Sequence, residues 1–201
     1  MKELRLLSDV ASVLKKGGVV AFPTETSYGL LCNAYNEKAI DAVYTIKGRG
    51  KESPLSLLIK DVKMAEELCE VDERTKKVFN EFYPGPVTII LPAKKTIHGV
   101  TYKNTNAIRV SSKKEVKDLF EKITFPLSAT SANVRGENDL YSDLEVVRTY
   151  KRRDNTPDAL FLGGTLQKRK PSTIIDLSGE SIQLTREGEI PFGHIKQTLD
   201  E

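Results

Sequence analysis

Apolar residues along this chain follow two spacings, and the switches between them predict most of its elements. Val10, Val13 and Leu14 recur at helical spacing after Ser8, which can cap the helix, and Gly17-Gly18 stops it. Gly18 to Phe22 is a continuous apolar run closed by Pro23 and reads as a buried strand. Tyr28 to Ala34 reads as a second short strand or an extended turn. Asn36 then caps a helix with Ala39, Ala42, Val43 and Ile46 facing the core, and that helix runs into Lys47-Gly48-Arg49. Pro54 to Ile59 predicts a strand. Asp61 and Asp72 cap two short helices, the second running through Val78 and Phe82. Pro84-Gly85-Pro86 breaks the chain before a β-branched strand from Val87 to Leu91, closed by Pro92.

The second half continues in shorter elements. Ala107 to Val110 and Pro126 to Thr130 read as strands. Ser112 with Glu115, and Ser142 with Glu145, have capping-box spacing. The helices behind them carry Val116, Leu119 and Phe120, and Leu144, Val146 and Val147. Ala159 to Leu162 reads as a strand ending in Gly163-Gly164. Ser172 to Leu177 and Ser181 to Thr185 are two more, joined by Ser178-Gly179, and a short helix follows Pro191. Strands alternating with helices early, then paired strands late, predict an α/β fold with a mixed β-sheet and helices on its faces. No repeat or Gly/Ser/Pro linker divides the 201 residues, so one domain spanning 1–201 is expected.

Composition narrows the classes. With 39% hydrophobic and 29% charged residues the chain is expected to be globular and ordered. Its longest apolar stretch, around Val87 to Leu91, is far too short to span a bilayer. Met1-Lys2-Glu3-Leu4-Arg5 lacks the apolar core of a secretory signal, so a cytoplasmic location is expected. Cys32 and Cys69 form no CxxC pair, and His98 and His194 are the only histidines, so no metal site and two reduced thiols are expected. Net charge is only +3, but basic residues cluster at Lys47-Gly48-Arg49-Gly50-Lys51, from Arg148 to Arg153, and at Lys168-Arg169-Lys170. Such clusters can bind phosphates even when the total charge is modest.

Four segments place polar or basic residues beside strand ends, where ligand crevices of α/β sheets form. Pro23-Thr24-Glu25-Thr26-Ser27-Tyr28-Gly29-Leu30 offers hydroxyls, a carboxylate and a phenol. Lys47-Gly48-Arg49, followed by Ser53-Pro54-Leu55, sets two cations around a glycine, although no Walker loop is present. In Thr105-Asn106-Ala107-Ile108-Arg109-Val110, Arg109 sits in an apolar strand and needs an anionic partner, either a protein carboxylate or a substrate carboxylate. Counted with it in the third segment, Ser128-Ala129-Thr130-Ser131-Ala132-Asn133 pairs small side chains with hydroxyls and an amide. Finally, Ser172 opens a strand and Arg186 sits just after the next one, where it can close over a phosphate.

The ordered set resembles the YrdC-like, or TsaC-like, threonylcarbamoyl-AMP synthase family. The residues that carry the likeness are Phe22 to Leu30, Lys47-Gly48-Arg49 with Pro54-Leu55, Tyr83 to Thr88, Ala107 to Val110, Ser131-Ala132-Asn133, Pro171 to Ile174 with Asp176, and Arg186-Glu187-Gly188. The resemblance implies an open, twisted mixed sheet around a deep basic cavity, in the short form without an extra C-terminal domain. It implies a nucleotidyltransferase that turns ATP, L-threonine and bicarbonate into threonylcarbamoyl-AMP and pyrophosphate. That product serves formation of N6-threonylcarbamoyladenosine at position 37 of tRNA through a downstream threonylcarbamoyl transferase complex.

Carried over, Thr26, Arg109, Ala129 and Ser172 would hold threonine. Lys47, Arg49, Ser53, Thr105, Ser131, Asn133 and Arg186 would hold ATP, with Lys47 and Arg49 acting on the reacting phosphates. Mg²⁺ would arrive with ATP, and no organic cofactor is implied. Relatives often carry a histidine near the position of Leu58 and another soon after the strand arginine, where this chain has Ser111-Ser112. Many read Ser-Gly after Ser-Ala-Asn, where this chain has Val134-Arg135-Gly136, and Thr165 to Lys170 is unusually basic here. The rival readings are a non-catalytic module binding double-stranded RNA or tRNA, and a paralogous carbamoyl-adenylate-forming transferase. Weak RNA binding is an expectation beside the enzymatic reading, and no membrane partner is expected.

Overall fold

The computed structural model describes residues 1–200. In chain order the elements are β1 (Lys2–Leu4), α1 (Leu7–Lys15), β2 (Val20–Pro23), β3 (Tyr28–Asn33), α2 (Glu37–Lys47), β4 (Ser56–Leu58), α3 (Val62–Leu68), α4 (Glu73–Phe82), β5 (Val87–Pro92), β6 (Thr105–Arg109), α5 (Lys114–Phe120), β7 (Leu127–Ser131), α6 (Asp143–Tyr150), β8 (Ala159–Phe161), β9 (Thr173–Asp176), β10 (Gln183–Arg186) and α7 (Phe192–Asp200). All ten strands join one mixed sheet in the order β1-β8-β2-β3-β7-β4-β6-β5-β9-β10. The β1–β8, β2–β8, β4–β6 and β5–β9 pairs are parallel, and the other five are antiparallel. The expected α/β class is therefore the observed one.

The side-chain alternation of each strand splits the core in two. On one face, Leu57, Ile89, Ile108 and Ile175 pack with buried residues of α2, α3, α4, α6 and α7. On the other, Phe22, Leu31, Leu58, Leu127 and Phe161 pack under α1 and α5 through Val10, Leu14, Val116 and Leu119. Each fully buried Leu or Ile contributes about 1.5–3 kcal/mol over leaving it in water. Helical cover on the second face extends only as far as the apolar positions do. Beyond Leu31, Leu58 and Leu127 the same parity brings up Ser56, Ala129, Thr88 and Arg109, and these line a cavity.

Most helix starts obey local chemistry. The side chains of Asn36, Asp61 and Asp72 accept from the backbone N–H three residues on, and Ser142 with Glu145 forms the reciprocal capping box. Two expected caps are corrected. Helix α1 begins at Leu7 with Leu6 in the cap position and no side-chain cap, so Ser8 lies inside the first turn. Strand β1, which periodicity did not reveal in so short a segment, pairs with β8 and sets where that helix can begin. Helix α5 is capped by Lys113, again without a side-chain bond. Ser111, not Ser112, holds this corner: its hydroxyl accepts from the Lys113 N–H at 3.2 Å and donates to Glu25. Among the described residues no helix is long and apolar enough to cross a membrane.

Candidate functional site

The cavity on the uncovered half-face has a volume of about 290 Å³. Strand register assembles its floor. Ser56 of β4 pairs with Ala129 of β7, Leu58 pairs with Arg109 of β6, and Thr88 of β5 pairs with Ile174 of β9. Its walls come from the β2–β3 turn, the segment after α2, the end of β7, the residue before β9 and the end of β10, and they carry Thr26, Arg49, Ser131, Ser172 and Arg186. Among the described residues, three arginines face this space against one carboxylate, Asp139.

Each wall residue is aimed by a local device. At the end of α2, Gly48 adopts a left-handed conformation with φ 59°, a turn that glycine makes without steric cost. That turn takes the chain off the helix axis so that Arg49 reaches the cavity, and its guanidinium donates to the Pro54 carbonyl at 3.5 Å. Gly188 packs directly against the backbone of Pro171, Ser172 and Thr173, where any Cβ would overlap. This close approach lays Arg186 against Ser172. The Arg186 guanidinium donates to the Ser172 carbonyl from Nε at 3.2 Å and from Nη2 at 2.9 Å, and Nη2 also lies 3.1 Å from Ser172 Oγ. Thr88 Oγ1 completes the cluster, 2.9 Å from Ser172 Oγ.

Arg109 is held differently. It is nearly buried, and its Nη1 donates to Glu25 Oε1 at 2.6 Å. The other oxygen of Glu25 accepts from the Ser111 hydroxyl. Of the two partners open to Arg109 in the sequence, the protein carboxylate is present. Arg109 nonetheless lines the cavity, so the pair stands at its wall.

Lys47 sits behind the wall. Its ammonium donates to the Ser131 carbonyl at 2.7 Å, the Asn133 carbonyl at 2.7 Å and Asn133 Oδ1 at 2.9 Å. It is 4% exposed. Burial, and then the charge of Arg49, push its pKa from 10.5 down to about 8, with Asp139 opposing. Ser131 Oγ and Asn133 Oδ1 are 2.5 Å apart, and Tyr150 donates to the Ala132 carbonyl at 2.6 Å. Lys47 therefore shapes the Ser131-Ala132-Asn133 turn. Burial also lowers the pKa of Arg186, followed by the nearby charge of Arg109.

Thus Thr26, Arg49, Arg109, Ala129, Ser131, Ser172 and Arg186 come together around one cavity. Lys47 and Asn133 stand behind it, bonded to each other and to Ser131. Ser53 adjoins the wall residue Pro54 but is not itself on the wall. Thr105 lies at the far end of β6 from Arg109, opposite Pro92, where its hydroxyl donates to the Tyr102 carbonyl. Ser56, Thr88 and Asp139 line the cavity without having been singled out in the sequence. The signal for the two strand residues was present: each is a polar residue in an otherwise apolar strand, at the parity of Arg109.

The chain is thus an α/β protein whose mixed sheet carries a cavity lined by three arginines. The chain belongs to the Sua5/YciO/YrdC family: the family model, described as telomere recombination, matches residues 12–188. A Methanocaldococcus jannaschii protein, provisionally named a threonylcarbamoyl-AMP synthase, is 34% identical over 189 residues, covering 94% of this chain and 88% of that protein. A Pyrococcus abyssi protein named threonylcarbamoyl-AMP synthase is 31% identical over 194 residues, covering 95% of this chain and 56% of that protein. A solved structure of P. abyssi Sua5 complexed with L-threonine superposes with a TM-score of 0.87 at 29% identity, over 98% of this chain and 59% of that one. The chain thus spans little more than half the length of its P. abyssi relatives.

Proposed function

We propose that the chain is a threonylcarbamoyl-AMP synthase, a cytoplasmic nucleotidyltransferase that makes threonylcarbamoyl-AMP and pyrophosphate from ATP, L-threonine and bicarbonate. The observation that carries this reading is a single cavity with two kinds of arginine. Arg109 is offset by Glu25, whereas Arg49 and Arg186 are held, among the described residues, only by neutral oxygens. The first suits a singly charged carboxylate, and the second pair suits a polyphosphate. Names borne by relatives and the threonine bound to P. abyssi Sua5 support the same assignment.

In this reading Thr26, Arg109, Ala129 and Ser172 surround threonine, with Arg109 on its carboxylate. Arg49, Arg186 and Ser131 meet the phosphates, while Lys47 and Asn133 hold the Ser131 turn from behind and Ser53 flanks the nucleotide. Thr105 is left out, because its hydroxyl is engaged at the other end of its strand. Bicarbonate yields carbon dioxide by loss of hydroxide, and threonine's neutral amine adds to it and gives up a proton, so that a carbamate forms with net release of water. A carbamate oxygen attacks the α-phosphorus of ATP, the bond to the β-phosphate oxygen breaks, and pyrophosphate leaves. No protein nucleophile is required. The residues align two anions and offset the charge that develops on the phosphates.

Among the described residues no group of three or more His, Cys, Asp or Glu side chains could hold a metal, and Asp139 is the one carboxylate on the wall. That donor set fits a Mg²⁺ carried in on ATP with phosphate and water ligands, which Asp139 would face. When bound, Mg²⁺ supplies charge neutralisation on the phosphate oxygens. The adenylate then passes to a threonylcarbamoyl transferase acting on tRNA. The exposed run Lys168-Arg169-Lys170 supports weak RNA contact, whose affinity falls steeply between about 50 and 200 mM salt.

The deciding experiment incubates the protein with ATP, bicarbonate and each proteinogenic amino acid in turn. Pyrophosphate release and product mass are measured. Release that depends on threonine, with an adenylate of threonylcarbamate mass, is expected. RNA binding with no pyrophosphate under any condition would replace the enzyme with a binding module.

A further inference from the structure

Glu25 stands one residue from the wall residue Thr26 and does not itself line the cavity, yet it is the carboxylate paired with Arg109. Its side chain is 6% exposed, and the Arg109 side chain is 10% exposed. The pair joins positions 84 residues apart, linking the β2–β3 turn to β6. Both carboxylate oxygens are occupied, one by Arg109 Nη1 and the other by Ser111 Oγ, and the Ser111 hydroxyl also accepts from the Lys113 N–H. Glu25 is therefore braced by the segment between β6 and α5 as well as by the arginine.

A buried ion pair adds little net stability, because removing both charges from water offsets their attraction. Hydrophobic residues could tie the turn to the strand equally well. What they could not do is present a guanidinium to the cavity with one nitrogen already engaged by a carboxylate.

We propose that Glu25 is a positioning and specificity-determining residue that acts through Arg109, an inference that rests on threonine binding at that arginine. With Nη1 tied to Glu25, the fork has a fixed plane and accepts one carboxylate on its free edge. The Glu25 charge stands 2.6 Å from Nη1 of the same guanidinium. A ligand with a net negative charge meets repulsion instead of an unspent cation, so the site favours zwitterionic amino acids with neutral side chains over dicarboxylates and small free anions, which bring no ammonium to offset their carboxylate.

The test compares Glu25→Ala and Glu25→Gln with wild type by calorimetric titration of L-threonine, ATP, L-aspartate and acetate, each separately. Glu25→Ala frees the fork, and threonine affinity falls about tenfold or more while ATP stays within about twofold. Glu25→Gln keeps an acceptor oxygen for Arg109 and contacts for Ser111 while removing the charge. It therefore retains threonine within about threefold but raises L-aspartate and acetate affinity by about fivefold or more, the mark of an uncovered arginine charge. Unchanged threonine binding in Glu25→Ala, or equal loss of ATP, overturns the proposal. So does a Glu25→Gln protein that discriminates like wild type, which decides the matter even if Glu25→Ala does not fold. Arg109→Ala separates the two layers. If it leaves threonine binding intact, the threonine site itself is misplaced; if it abolishes binding while Glu25→Ala does not, only the role of Glu25 fails.

Discussion

Arg109 and Arg186 wall the same cavity but live in opposite electrostatic settings. Arg109 lies in the middle of the sheet, and its charge is met at 2.6 Å by Glu25. Arg186 ends β10 at the edge of the sheet and is held only by the carbonyl and hydroxyl of Ser172 among the described residues. A carbonyl orients a guanidinium without cancelling its charge, whereas a carboxylate does both. One cavity thereby offers one arginine already paired with a carboxylate and one bonded only to neutral oxygens. The difference teaches that counting arginines does not reveal what a site binds; the partner of each arginine does.

The largest expected effect comes from removing the uncompensated charge. Arg186→Ala should weaken ATP about 10- to 100-fold, the loss of roughly 1.5–3 kcal/mol for a charge-assisted contact, and threonine much less. ATP titration against a threonine control reads this directly, and equal losses would erase the contrast between the arginines. Arg49→Ala should raise the apparent ATP KM or lower turnover by about tenfold or more. Wild-type kinetics would take Arg49 out of the site.

Arg109→Lys tests the other pole. Lysine is a point charge without a planar fork, so threonine affinity should fall by about tenfold while ATP changes little. Equal weakening of both would defeat the carboxylate assignment.

The smallest effect is with pH. Lys47 loses its proton near pH 8 in the folded chain, against 10.5 for an ordinary lysine. ATP affinity should therefore fall about two- to threefold as pH rises through about 8, because the Ser131-Ala132-Asn133 turn loses a cation behind the phosphate site. Stability moves the other way. Between pH 8 and 10.5 the unfolded chain binds more protons at this lysine than the folded chain, so its contribution to stability rises with pH in that window and is level on either side. Lys47→Met should flatten both profiles, measured by ATP titration and by thermal melting across that range.

Local signals carried much of the fold. The caps at Asn36, Asp61, Asp72 and Ser142 were legible because each side chain bonds a backbone N–H only three residues away. Ser8 and Ser112 carried the same signal and failed. Strand β1 pairs with a segment more than 150 residues distant and sets where α1 begins, and Ser111 is drawn to Glu25 across the sheet. The site divides in the same way. Thr26, Arg49, Arg109, Ala129, Ser131, Ser172 and Arg186 stood out as polar, basic or small residues beside apolar runs. Ser56 and Thr88 carried a fainter signal, a polar residue in an apolar strand, but their place on the wall, like that of Asp139, depends on which strands become neighbours. Lys47 and Asn133 were singled out as ligand contacts, but in the fold they bond to each other.

By itself the amino-acid order determined the alternation of elements, the parity that separates core from cavity in each strand, and the family to which the motifs point. These are properties of short windows, where hydrophobic spacing and capping act within one turn or one pleat. Only the tertiary structure decided which arginine is paired, which lysine is buried and which polar strand residues share a floor. Those outcomes depend on contacts between segments far apart in the chain, and the free energy of a charge is set by what stands within a few ångströms of it.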